Sequence, residues 1–219
     1  MLTLFFFFYC LVFKLKMSIE VERKFLCSAN TLKILQEIGV CAGQRRFHDQ
    51  YFDTPQFHLT LRDVWLRKRK GCWELKCPVA RVTGAEETQS EALCSRYKEI
   101  TNLGDIKMKL MEVLKDICKD VTILDQASCC VTESCRHEMD SEQDKCWVDL
   151  DEADFGHSVG EIEVLIPEGG DMRAALDKIE RTAKKLGLTG DQRIEGKMSV
   201  YLKINHPEHY ARLMREHIL

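Results

Sequence analysis

The chain has no excess of basic charge. Its 219 residues hold 32 Lys and Arg against 35 Asp and Glu, a formal net charge of −3. A general nucleic-acid binder carries a basic imbalance instead, so nucleic acid is not an expected partner. Its 11 cysteines include no C-x-x-C pair and no zinc-finger spacing. An odd, scattered set in a chain of this size argues against a secreted disulfide framework. The cysteines read as reduced thiols serving as small core residues. The chain also lacks an apolar run long enough to span a bilayer, which takes about 20 residues. Its first thirteen residues are almost all apolar, with Phe at each position from Phe5 to Phe8, but Lys14 and Lys16 follow. That leader has neither the basic n-region nor the small-residue cleavage site of a secretory signal. Residues 1–16 are therefore read as a non-core extension, with Met17 as an alternative start and 17–219 as one domain; a membrane anchor or signal is the other reading of the leader. The expected setting is cytoplasmic, with no membrane partner and no feature demanding more than a monomer. No internal repeat or low-complexity segment follows the leader.

Charge is what the chain has in quantity: 31% of its residues, above the typical quarter. Hydrophobic residues, at 45%, suffice for a core. Glu20-Val21-Glu22-Arg23-Lys24 lies in a stretch, Ile19 to Leu26, that reads as a β-strand. Alternation puts Glu20, Glu22 and Lys24 on one face and Ile19, Val21, Arg23 and Phe25 on the other. Alone, that face is either a solvated surface or one wall of a polar cavity holding a metal ion and an anion. The pattern repeats, however. Period two groups Trp65, Arg67 and Arg69, then Glu74 with Lys76, Tyr97 with Glu99, Asp149 with Asp151, and Glu161 with Glu163. Like charges two apart repel unless opposite charge lies between them. Arg67 and Arg69 ask for an anion. The acidic pairs Glu20/Glu22, Asp149/Asp151 and Glu161/Glu163 ask for a cation. Arginine forks match phosphate oxygens, and Mg²⁺ combines carboxylates, water and phosphate oxygens. Strands closed into a barrel with these faces inward would hold a metal-bound polyphosphate. Such a lumen must be wet or ion-filled, because bare paired carboxylates are too costly to desolvate.

The remaining periodicities predict an α+β fold with a mostly antiparallel sheet. Asn30 to Ile38 reads as a helix capped by Asn30 and stopped by Gly39. Arg46 to Tyr51 reads as extended, ending in the turn Phe52-Asp53-Thr54-Pro55. Val64 to Lys70 and Trp73 to Cys77 form a hairpin about Gly71-Cys72. Pro78 to Leu93 reads as an exposed loop and Arg96 to Thr101 as a short strand. A helix over Asp105 to Lys119 turns Ile106, Leu110, Val113, Leu114 and Ile117 inward. Strands are expected at Ala127 to Glu133, Cys135 to Met139, Lys145 to Leu150 and Gly160 to Ile166, with a turn at 140–142. A long helix over Asp171 to Leu186 closes at Gly187. Two short helices follow, Ser199 to Ile204 and Glu208 to Glu216.

Taken together, Glu20/Glu22/Lys24, Trp65-Leu66-Arg67-Lys68-Arg69, Trp73-Glu74-Leu75-Lys76-Cys77-Pro78, Val148-Asp149-Leu150-Asp151, Gly160-Glu161-Ile162-Glu163 and Lys197 resemble the CYTH family of triphosphate tunnel metalloenzymes. The resemblance runs from about Ser18 to Tyr210 and makes residues 17–219 a CYTH domain. It implies an eight-stranded antiparallel tunnel flanked by helices, with Mg²⁺ as cofactor and a small triphosphate as substrate. The turn Tyr51-Phe52-Asp53-Thr54-Pro55, the run Asp149 to Gly156 and Val200-Tyr201-Leu202 resemble the animal branch of the family. That branch hydrolyses thiamine triphosphate to the diphosphate and phosphate. Phosphate binding is assigned to Lys24, Arg67, Arg69, Lys76 and Lys197, and metal binding to Glu20, Glu22, Asp149, Asp151, Glu161 and Glu163. Glu99 is a further candidate for binding metal or positioning water. Metal-bound water, or Lys24 acting with Tyr51, is the candidate general base, with Lys24 expected to be crowded by arginines. Lys76 is counted with Lys24 and Tyr51 as catalytic. Trp65 is expected to stack on a cationic thiazolium ring. The family places an arginine in a middle strand; here Val131-Thr132-Glu133-Ser134-Cys135-Arg136 puts Arg136 slightly late, with a strand bulge invoked to restore its facing.

Within the same tunnel, a broader tripolyphosphatase or nucleoside triphosphatase is the nearest rival, and an adenylyl cyclase a more remote one. A non-enzymatic polyphosphate-binding module and a structural β-protein with all its charges solvated are the readings from other classes. The last predicts charged faces pointing outward.

Overall fold

The structure, a computed structural model, describes residues 18–79, 88–117, 124–139 and 146–219. The apolar leader, the 140–142 turn and half of the Pro78–Leu93 segment lie outside them. Eight strands form one closed antiparallel barrel: β1 (Ser18–Phe25), β2 (Val40–Asp53), β3 (Trp65–Arg69), β4 (Cys72–Pro78), β5 (Cys94–Ile100), β6 (Asp125–Met139), β7 (Cys146–Ala153) and β8 (Ser158–Pro167). Around the barrel the order is β1-β5-β4-β3-β2-β6-β7-β8, and β8 pairs back onto β1. Closure leaves no free sheet edge. The helices are α1 (Ala29–Ile38), α2 (Gln89–Ala92), α3 (Leu103–Leu114), α4 (Met172–Lys185), α5 (Lys197–Asn205) and α6 (Pro207–Arg215).

The apolar strand faces point outward and are covered by helices. Val21, Phe25, Val148, Ile162 and Val164 pack with Ala175, Leu176, Ile179, Ala183 and Leu186 of the α4 segment. On the other side Leu66, Leu75, Cys77 and Ile100 pack with Ile106, Leu110 and Leu114 of α3, and with Leu59 and Val64. The α4 segment and α3 thus seal the outside of a barrel whose inside remains free for charge. The β3–β4 hairpin turns at Lys70 and Gly71, both with positive φ (49° and 81°), as a two-residue turn between twisted strands requires.

Four local expectations are corrected. The α1 cap is Ser28, whose hydroxyl accepts from Thr31 N at 3.0 Å, because the helix starts one residue before Asn30. The two strands expected at 127–139 are one strand, β6, paired along its length with β2. The α3 helix ends at Leu114, so Ile117 lies beyond it and is exposed. Of the thiols expected in the core, Cys77, Cys94, Cys130 and Cys146 are buried, but Cys41 and Cys72 are exposed. Among the described residues, no helix is long and apolar enough to cross a membrane.

Candidate active site

The ladders bring the charged residues together. Asp49 lies opposite Arg69 and Tyr51 opposite Arg67. Arg67 lies opposite Glu74 and Trp65 opposite Lys76, and Lys76 opposite Glu99. Glu22 faces Glu163 and Lys24 faces Glu161, while Arg136 faces Asp149 and Asp149 faces Glu161. Since each strand alternates, one shared register turns all these side chains into the lumen. The solvated-surface reading fails on this point. Arg136 needs no bulge: β6 and β7 run in unbroken register from Thr132 to Met139, and the irregularities are on the β2 side. Arg136 lies two residues after Ser134 and so shares its inward face.

Within the lumen, acids and bases pair with one another. Arg69 makes a two-pronged contact with Asp49, 2.6 and 2.5 Å. Arg136 does the same with Asp149, at 2.7 and 2.5 Å, and reaches Glu163 at 2.8 Å. Arg67 donates to Glu74 at 2.7 Å, with Asp49 and Glu99 each at 3.8 Å. Lys76 contacts Glu20. Lys197, the first residue of α5, contacts Asp151 and reaches Glu161 at 3.2 Å. Lys24 contacts Glu22. A carboxylate, not the expected crowd of arginines, is therefore its immediate neighbour. All the predicted site residues converge on this space. Asp49 was missed, although it shares a strand face with Tyr51.

Burial and crowding divide the carboxyls. Burial, with Glu20 and Asp149 nearby, pushes Glu163 up to about 8 against the pull of Arg136. Glu20 is also raised, by burial and Glu22, although Lys76 opposes it. Burial acts on Glu161 too, but Lys197, Lys24 and Lys76 outweigh it and hold its carboxyl well below the usual range. Burial would lower Lys76 and Lys197, yet their carboxylate neighbours raise both. Burial raises the Tyr51 phenol, with Arg67 and Arg69 pulling the other way.

The lumen opens into a cavity of about 430 Å³ lined by Glu22, Lys24, Tyr51, Trp65, Arg67, Lys76, Tyr97 and Glu161, and by Arg193, Glu195, Met198, Tyr210, Met214, Ile218 and Leu219. Asp63, in a left-handed backbone conformation that Asp tolerates, accepts from Trp65 Nε1 at 2.9 Å and Tyr97 Oη at 2.8 Å. It fixes both rings at the mouth. The C-terminal wall comes from loop and helix residues that period-two reading does not reach. Glu195, which accepts from Tyr210 at 2.6 Å, belongs to that wall.

The carboxylates of the lumen are hard oxygen donors, which suit Mg²⁺ or a similar cation. Asp151 Oδ1 is buried with no hydrogen-bond partner, an acceptor that a cation or its water would satisfy. Glu20, Glu22, Asp149, Asp151, Glu161 and Glu163 are the residues that could hold one. Beside them, Arg67, Arg69, Arg136 and the lysines offer donors to phosphate oxygens. The class so defined is a charged-tunnel protein.

The chain belongs to the CYTH family: the CYTH domain matches residues 18–196. It is 37% identical over 212 residues to the thiamine-triphosphatases of Macaca fascicularis and Homo sapiens, covering 90% of this chain and 89% of each relative. Among solved structures, the PH1819 protein from Pyrococcus horikoshii superposes with a TM-score of 0.55 at 21% identity, covering 86% of this chain and 99% of that one. That likeness is one of fold.

Proposed function

We propose that the chain is a Mg²⁺-dependent hydrolase that cleaves the terminal phosphoanhydride of thiamine triphosphate, giving thiamine diphosphate and phosphate. The observation that carries this reading is the convergence of acids and bases from every strand on one lumen. The thiamine-triphosphatase relatives supply the organic end.

Phosphoryl transfer asks mainly for positioning and charge neutralisation. Arg67, Arg69, Arg136, Lys24, Lys76 and Lys197 bind the triphosphate oxygens, exchanging their carboxylate partners for phosphate. When bound, Mg²⁺ neutralises phosphate charge and lowers the pKa of its water. Glu20, Glu22, Asp149, Asp151, Glu161 and Glu163 hold it, directly or through water. Tyr51 and Lys76 donate hydrogen bonds to the reacting phosphate. Trp65 and Tyr97, held by Asp63, receive the thiamine rings at the mouth. The chain acts as a monomer in the cytoplasm.

Phosphate release from thiamine triphosphate, inorganic tripolyphosphate and ATP, each with Mg²⁺, tests this reading. A kcat/KM highest for thiamine triphosphate supports it. Equal rates on all three would make the protein a broad tripolyphosphatase. Thermal stabilisation by tripolyphosphate without phosphate release would leave only a binding module.

A further inference from the structure

On the β2–β6 ladder, away from the tunnel lining, Cys41, Cys135 and His137 form a second cluster of ligating side chains. Cys135 and His137 flank Arg136 and therefore point away from its lumen side. Their donor atoms and that of Cys41 all lie within 4.8 Å of one another. Cys41 Sγ is 3.9 Å from Cys135 Sγ, which is 3.9 Å from His137 Nε2. Around a tetrahedral zinc ion with ordinary Zn–S and Zn–N bond lengths, two sulfurs stand about 3.8 Å apart, and a sulfur and a nitrogen about 3.6 Å. Both observed edges are within a few tenths of an ångström of those values. His137 is 8% exposed and turns Nε2, not its unpartnered Nδ1, toward the thiols.

We infer that Cys41, Cys135 and His137 form a site for a soft, thiophilic metal ion such as Zn²⁺, separate from the hard-cation ligands of the tunnel. Two thiolates and an imidazole make a donor set that Mg²⁺ does not choose and zinc does. The exposure of Cys41 leaves a fourth position for water or an exogenous ligand. Binding releases the two thiol protons to solvent. A disulfide fits less well. Cys41 lies opposite His137 and only diagonal to Cys135; diagonal neighbours have Cα atoms roughly 7–8 Å apart, beyond the usual disulfide span of about 4.4–6.8 Å. The register shift between Cys41 and Gly43 falls within the site, so a bound ion would tie this irregular segment of β2 to the part of β6 that carries Arg136.

The test is a Co²⁺ titration of the reduced full chain with Mg²⁺ in excess to occupy the carboxylates. The expected result is a thiolate-to-cobalt charge-transfer band saturating at a single equivalent. The band should be lost in Cys41→Ser and Cys135→Ser and retained in Cys72→Ser, whose thiol is exposed elsewhere. Zn²⁺ should bleach the band and raise Tm in the wild type but not in Cys41→Ser. Cys41 is exposed, so that variant keeps the test decisive if Cys135→Ser does not fold. Absence of a band, or a band unchanged in Cys41→Ser, overturns the site. So does a Cys41–Cys135 disulfide whose reduction yields a protein with no cobalt band.

Discussion

Arg67 lies in the lumen with Tyr51 opposite it on one side and Glu74 on the other. Its guanidinium already makes one short contact and two longer ones to carboxylates. A triphosphate oxygen that takes over those donors gains a planar fork held by its neighbours. Arg67→Ala removes the fork and leaves acids facing incoming phosphate. The expected loss in kcat/KM is on the order of 10²–10³-fold, with far-UV circular dichroism unchanged. Near-normal turnover would remove Arg67 from phosphate binding. In the proposed function Trp65 serves the other end of the substrate. If its indole stacks on the thiazolium, Trp65→Ala sacrifices about 1–2 kcal/mol, roughly a 5–30-fold rise in KM for thiamine triphosphate. KM for tripolyphosphate, which has no ring, should hardly move. Equal changes in both constants would show that Trp65 only packs.

At the scale of the element, legibility followed length. Short strands with a strict alternation, β1, β3, β4, β7 and β8, could be read residue by residue, because period two alone assigns each face. The lumen lining they contribute was therefore visible before any coordinate. The long strands were not. β2 begins at Val40, in a stretch with exposed residues at most positions, so its first half carries no apolar stripe to read. β6 reads as two strands on either side of Ser134; its pairing with β2 and β7 makes it one. Asp63 and Glu195 lie in connections, where side-chain direction depends on tertiary context and no periodicity applies. The packing of β1 against β8 also escapes the sequence. Gly160 is paired with Phe25, and a Cβ at 160 would collide with the Phe25 ring. Gly160→Ala should thus destabilise the fold by about 1–3 kcal/mol, lowering Tm by several degrees at roughly 2–4 °C per kcal/mol for a chain of this size. A Tm within a degree of wild type would mean that Phe25 moves aside at no cost.

For the whole molecule, each lumen base of the empty tunnel leans on an acid, and acids outnumber bases. On the proposed reading, loading is an exchange in which phosphate takes the bases and a cation takes the acids. The carboxyls also set a pH dependence for the cation. Glu163, raised to about 8, holds its proton through neutral pH in the empty tunnel, and a metal ion must displace that proton to use the carboxylate. Mg²⁺ affinity should rise as pH increases toward 8 and level off above it, where no proton remains to compete. The same shift has the opposite sign for the stability of the metal-free fold. Between the ordinary carboxyl value of 4.5 and about 8, the folded state binds the Glu163 proton that the unfolded chain has released. That contribution is present in full at low pH and fades as pH climbs through the folded value. Glu163→Gln keeps the side chain neutral throughout. In the metal-free protein its Tm relative to wild type should therefore increase from pH 6 to pH 9, while its Mg²⁺ affinity falls and loses most of the rise with pH. Calorimetric Mg²⁺ titrations with tripolyphosphate present, at several pH values, measure the affinity. Parallel pH profiles for the wild type and Glu163→Gln would mean that another group controls proton release.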